Sequence, residues 1–248
     1  MNKKYSYLIL NMNKCDNTLK IYPVKSQPDS SRFEGLHNHL LKPPFTLILN
    51  NSTGQGKTTT VANLVLREEM YDIPNEKYFD LFIIISPTIY NCKTSVPMIE
   101  YADAIYDKYD DSIIDNIIDL QKDDEDDQHI LILIDDCLGV QMNKVRYLVS
   151  RNRHLRCSLI ISLQAFKSKS SHPIIRANAS GYFIGEAKNT KEYEKISDEF
   201  SGLFGGKQNF KKLYSEATKE KYSFLYLDLK NIRAFKNLTN LLWEKKNN

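Results

Sequence analysis

The chain has 248 residues, 42% of them hydrophobic and 26% charged, with a formal net charge of +3. The length suits one α/β domain with decorations, and the apolar share supports a sizeable core. Total charge this close to balance names no partner; only its distribution can. No apolar run approaches the roughly 20 residues needed to span a bilayer. The run Tyr5–Leu10 behind Lys3 and Lys4 is too short for a signal peptide. Cys15, Cys92, Cys137 and Cys157 lack metal-ligand spacing and read as free thiols of a reducing, intracellular compartment.

Residues 1–40 are polar and mixed and read as an N-terminal arm or small decoration. Lys42-Pro43-Pro44 then imposes an extended entry. An apolar run at Phe45–Leu49 has strand character, and Thr58–Met70 suits a helix. Leu81–Ile85 is a second strand, residues 97–121 read as mostly helical, and Ile130–Ile134 is a third strand. Lys144–Arg153 suits a helix, Ser158–Leu163 a fourth strand, Tyr182–Ile184 a fifth, and Tyr222–Leu227 an edge strand. Continuous apolar strands alternating with helices predict an α/β fold, a mainly parallel sheet covered by helices on both faces. Asp123-Asp124-Glu125-Asp126-Asp127 reads as a solvated acidic loop.

Between the first strand and first helix lies Asn51-Ser52-Thr53-Gly54-Gln55-Gly56-Lys57-Thr58, followed by Thr59. Strand, glycine loop, Gly-Lys-Thr and helix in that order are what a phosphate-binding loop requires. Gly54 and Gly56 let backbone N–H groups turn inward, the helix start adds its positive dipole end, Lys57 reaches the β- and γ-phosphates, and Thr58 offers its hydroxyl to magnesium. Asn51 stands where the pattern has its first glycine, and asparagine tolerates the left-handed backbone better than most. The expected ligands are therefore ATP and Mg²⁺, and residues 41–248 read as a P-loop ATPase domain with a C-terminal extension.

The third strand runs into Asp135-Asp136. Asp135 is read as the magnesium residue and Asp136 as the carboxylate that orients or deprotonates the attacking water. The strand at Leu81–Ile85, between the two motifs in sequence, argues for the additional-strand (ASCE) type of P-loop NTPase. Gln164 ends the fourth strand, on the rim where ligands of parallel sheets sit, and is read as a γ-phosphate or water sensor. Between Gly139 and Arg176 there are eight basic residues and no acid, against eleven acids and two lysines in 101–128. Such a span suits a polyanion, or an arginine supplied to a neighbour's γ-phosphate, with Arg153 ahead of Arg151 and Arg176. The five histidines form no metal pattern, and the tyrosines read as packing and surface rather than a base-stacking platform.

Taken together, Gly54-Gln55-Gly56-Lys57-Thr58, the Ile-Ile-Ile-Ser-Pro-Thr at 83–88, Leu-Ile-Asp-Asp at 133–136, Arg153-His154, the strand 158–164 and Ile-Ile-Arg-Ala-Asn at 174–178 resemble one family. It is the poxvirus-type genome-packaging ATPases of large DNA viruses and virophages, in the FtsK–HerA superfamily, and the resemblance covers about residues 40–186. It implies a homo-oligomeric ring, a pentamer or hexamer, that hydrolyses ATP to drive double-stranded DNA into a capsid. It also implies a trans-acting arginine near Arg153, a capsid or portal-vertex partner, and a place in the host cytoplasm, the viral factory or the virion. A nucleotide or small-molecule kinase and a non-hydrolysing assembly module are the rival readings.

Overall fold

The computed structural model describes residues 36–73, 76–123 and 127–245. Most of the expected arm at 1–40, Cys15, and the centre of the acidic loop lie outside them. Strands and helices in chain order are β1 (Thr46–Asn50), α1 (Lys57–Leu66), β2 (Asp72–Ile73), β3 (Glu76–Lys77), β4 (Leu81–Ile85), α2 (Val96–Tyr101), β5 (Ala104–Tyr106), α3 (Asp111–Asp123), β6 (Ile130–Ile134), α4 (Asn143–Arg151), β7 (Cys157–Leu163), α5 (Pro173–Ala177), β8 (Gly181–Ile184), α6 (Thr190–Phe200), α7 (Gly206–Thr218), β9 (Leu225–Asp228), β10 (Arg233–Lys236) and β11 (Asn240–Glu244).

Among the described residues, nine strands form one sheet in the order β11-β10-β9-β8-β1-β7-β6-β4-β5. From β8 to β5 every pairing is parallel, and β9, β10 and β11 extend the sheet antiparallel. β1, β6 and β7 are buried at every position, as continuous apolar runs in a doubly covered parallel sheet must be. Their alternation still sorts the faces. Leu47, Leu49, Leu131 and Leu133 pack with Leu64 of α1 and Met98 of α2, whereas Ile48, Ile132, Leu159 and Ile161 pack with α3, α4, α6 and α7. No described helix is long and apolar enough to cross a membrane.

The chain is thus an α/β P-loop NTPase fold of the additional-strand type, but the inserted strand is not the one expected. β7 lies between β1 and β6, while β4, the strand between the motifs in sequence, sits beyond β6. Crossovers decouple sequence order from spatial order, so sequence position alone does not identify the neighbour. Three further expectations are corrected. α1 stops at Leu66, because Tyr71 returns under the sheet, its N–H donating to Leu64 O (3.2 Å) and its hydroxyl to Leu41 O (2.7 Å). The apolar–acidic pattern of 97–121 is broken by β5, which pairs with β4; Asp103 accepts Phe82 N–H at 2.7 Å and turns the chain into the sheet. The strand near Tyr222–Leu227 is interior, and β11 is the edge.

Candidate active site

Three parallel strands deliver the site to one rim. β1 ends in the loop 51–56, its neighbour β7 ends in Gln164, and β6 ends in Asp135-Asp136. A cleft of about 920 Å³ opens there, lined by Thr53, Gly54, Gly56, Lys57, Thr58, Thr59, Asp135, Asp136 and Gln164 among others. Adjacent parallel strands ending side by side make this convergence possible, since ligand crevices form beyond strand carboxyl ends.

The loop is built for approach by an anion. Gly54 and Gly56 take φ +77 and +78, a conformation costly for side-chain-bearing residues. Gly56 starts α1 with no side-chain cap, so the first-turn N–H groups face the cleft mouth without an intrahelical partner. Lys57 Nζ donates to the carbonyls of Asn51 (2.7 Å) and Ser52 (3.3 Å), arching back across the loop. Burial holds its pKa below the ordinary lysine value. Asp135 and Asp136 pull the other way, and Lys188 adds repulsion. A partly desolvated ammonium gains from an incoming anion, so Lys57 is suited to receive phosphate.

Asn51 is explained differently from the expectation. It is not among the described non-glycine residues with positive φ, so no left-handed tolerance is needed. Its buried side chain instead accepts the N–H of Gly185, just past β8, and its own N–H donates to Leu163 O at 3.2 Å. Gly185 makes room for it: a Cβ there would stand 2.6 Å from Asn51 Oδ1. The bulk added at the loop's first position is accommodated by a glycine just past the neighbouring strand. Asn51, Ser52 and Gln55 do not line the cleft.

Asp136 takes φ +54, a left-handed conformation that aspartate tolerates, and Leu138 N donates to its carbonyl at 2.9 Å. Gln164 Nε2 donates to Asp136 Oδ1 at 2.6 Å, so the expected sensor and the expected base are in direct contact. Cys137, beside them, is buried, and its thiol pKa is pushed up to about 12 by burial and by the two carboxylates, which leaves it a structural thiol.

The oxygen donors present suit magnesium. Thr58 and Asp135 share the cleft with Lys57, and the described residues hold no cluster of three or more His, Cys, Asp or Glu. Mg²⁺ characteristically takes one or two protein ligands and completes its shell with phosphate oxygens and water, so this sparse set fits it.

Folding gives part of the basic span acidic partners. Lys144 pairs with Asp115 (2.8 Å), Arg156 with Asp127 (3.3 Å), and Lys167 and Arg176 with Glu199 (3.9 and 3.2 Å). Acids from 111–127 and α6 thus neutralise bases that look unopposed in sequence. Arg176 is further held by Ser171 O (2.6 Å), with its side chain only 11% exposed, which removes it as a candidate finger. Arg151 lies over the Tyr147 ring (4.0 Å), and Arg153 is exposed. Both border a smaller pocket with Pro44, Ser180 and Lys230 at the amino ends of the strands, opposite the phosphate loop. Sequence reasoning missed Lys188, and it missed Tyr222, Phe224, Asn237, Leu238 and Thr239, which form another part of the cleft wall. No local motif marks them.

No family model matches the chain. A curated relative is the uncharacterised protein 088R of Invertebrate iridescent virus 3, 29% identical over 130 residues, which is 50% of this chain and 49% of that protein. The match therefore spans about half the length of each. Among solved structures, the genome packaging NTPase B204 of Sulfolobus turreted icosahedral virus 2 bound to AMP aligns with a TM-score of 0.55 and 15% identity, over 83% of this chain and all of that one. Its sulfate complex aligns with a TM-score of 0.54 and 16% identity, over 84% and 100%. At such identity the likeness is one of fold.

Proposed function

We propose that this chain hydrolyses ATP to move double-stranded DNA, and that the DNA is a viral genome entering a capsid. The observation that carries the reading is the convergence of phosphate loop, Asp135-Asp136 and Gln164 in one cleft, with Gln164 bonded to Asp136 at 2.6 Å. The fold shared with a viral packaging NTPase and the sequence likeness to an iridescent-virus protein support it.

In this scheme the loop N–H groups and Lys57 hold the β- and γ-phosphates, and Thr58 and Asp135 hold magnesium, which when bound neutralises phosphate charge. Gln164 and Asp136 position a water in line with the γ-phosphorus. The water oxygen bonds to phosphorus, the bond to the bridging oxygen breaks, and the water proton passes to Asp136. Loss of the γ-phosphate changes what Gln164 can bond, which would connect chemistry to movement.

Asp136→Asn should retain ATP binding yet slow hydrolysis by about 10²-fold or more. Asparagine tolerates the left-handed backbone and keeps an oxygen for Gln164, so the change removes basicity and leaves the geometry. Single-turnover phosphate release measures it, and a wild-type rate would reduce Asp136 to a strand terminus. Asp135→Asn should instead raise the magnesium concentration needed for half-maximal turnover.

A DNA-stimulated ATPase assay tests the motor reading. Duplex DNA should raise turnover whatever its sequence, and binding should fall steeply with salt as phosphate neutralisation releases counterions. A kinase would transfer phosphate to a small acceptor, and an assembly module would bind ATP without turnover. A sequence-specific footprint, or no DNA binding at low salt with a non-hydrolysable ATP analogue present, overturns the motor.

A further inference from the structure

The cleft continues past the phosphate loop to a wall formed by two separated segments. One is Tyr222 and Phe224 ahead of β9; the other is Asn237, Leu238 and Thr239 between β10 and β11. The segments are stapled together. Phe224 N donates to Asn237 Oδ1 (3.1 Å), and Asn237 N donates to Phe224 O (2.9 Å). Lys236 Nζ pairs with Glu220 at 2.6 Å, and the Ser223 hydroxyl closes the turn onto Glu220 O at 2.6 Å.

Two residues of this wall hold left-handed backbone, Tyr222 at φ +69 and Asn237 at φ +54. Asparagine accepts this readily; a bulky aromatic does so only where its surroundings hold it, and such strain gathers at functional sites. Phe224 is the support, buried and stacked on Phe183 with centroids 4.6 Å apart. Tyr222 differs, for it is 54% exposed. It leans over the last glycine of the phosphate loop, where a Cβ on Gly56 would meet its Cδ1 at 3.6 Å. The Lys221 ammonium stands 4.9 Å from its ring centroid. Core packing explains Phe224 and leaves the Tyr222 ring half exposed at the cleft.

We propose that Tyr222 is the platform on which the nucleobase of the bound nucleoside triphosphate stacks. The inference rests on the ATP-site reading and deepens it. The cleft volume of about 920 Å³ lies at the upper end of small-ligand sites, well beyond what a triphosphate chain fills, so room for a nucleoside remains. That room lies where an exposed aromatic face borders the loop that holds the phosphates. Stacking is tolerant of base identity, because every base has a π-face, so Tyr222 adds affinity for ATP and GTP alike.

The test compares ATP with inorganic tripolyphosphate, which carries the same phosphate chain and no base, on the full chain. Tyr222→Gly removes the ring while accepting φ +69 at little cost; Tyr222→Phe keeps the ring. Tyr222→Gly should weaken ATP binding about 10-fold, as expected for losing one base stack, and leave tripolyphosphate affinity unchanged. Tyr222→Phe should match wild type for both ligands. Equal loss for both ligands, or loss for neither, overturns the proposal, the first result meaning that the ring only shapes Gly56. If the wild-type chain binds neither ligand, the ATP site itself is wrong, which is a separate failure.

Discussion

Lys57→Ala is expected to abolish ATP turnover, a loss on the order of 10³-fold or more, and to weaken nucleotide binding. The reason lies in the position of the ammonium. It bonds the carbonyls of Asn51 and Ser52 across the loop and shares the cleft with Asp135 and Asp136. Without it, the incoming phosphates meet two carboxylates and lose the cation that sits in the loop itself. Alanine is a strong helix former, so α1 should keep its start at this position. Near-normal turnover in a steady-state assay would remove the central claim.

The same lysine gives a pH signature. Its pKa in the free protein is lowered from 10.5 by burial, and bound phosphate should raise it again. Between the two values ATP binding takes up protons, so affinity falls as pH rises through the depressed value. In the nucleotide-free protein the unfolded chain binds more protons across that window, so this group makes stability rise with pH there. Calorimetry in buffers of differing ionisation enthalpy should register proton uptake in wild type and its loss in Lys57→Ala.

What the sequence made legible is what local rules control. β1, β6 and β7 are predominantly apolar, fully buried strands leading into loop, acids and amide, and the expected bounds lie within a residue or two of the observed ones. Strand adjacency was not legible, since β7 reaches its place between β1 and β6 by a crossover. Charge misled for a related reason. Lys144 and Arg156 meet partners from 111–127, and Arg176 meets Glu199, only after folding. The backbone pattern draws attention to the φ of Asn51, yet its side chain carries the explanation, through a glycine just past β8. Tyr222 was invisible as a site residue because its place over Gly56 depends on the antiparallel extension β9–β11, whose strands show no motif.

The arginine expected to act across a subunit boundary gives the second large effect. Arg153 follows α4 and precedes β7, at the amino ends of the strands, whereas Lys57 follows the carboxyl end of β1. β7 pairs in register with β1 and is seven residues long, so the two rims are on the order of 20 Å apart at about 3.3 Å per residue. An arginine side chain does not span that distance, so Arg153 cannot serve its own γ-phosphate. Any role at a γ-phosphate must therefore be played on a neighbour, in a ring that sets one subunit's amino rim against the next subunit's cleft. A cation arriving there would stabilise charge that spreads as the phosphate bond breaks, an effect of about 10³-fold or more where such arginines operate. Arg153→Ala alone and Lys57→Ala alone should both be inactive. Mixed in one ring, they create interfaces that pair an intact phosphate loop with an intact arginine, and part of the activity should return. The readout is ATPase rate against mixing ratio, with mixed oligomers verified by differential tagging. If mixed oligomers form and no activity returns, Arg153 does not act in trans. If the protein stays monomeric with ATP and DNA at high concentration, the ring is wrong. Arg151→Ala serves as the comparison, because its guanidinium is already engaged by the Tyr147 ring at 4.0 Å and it should retain most of the activity that Arg153→Ala loses.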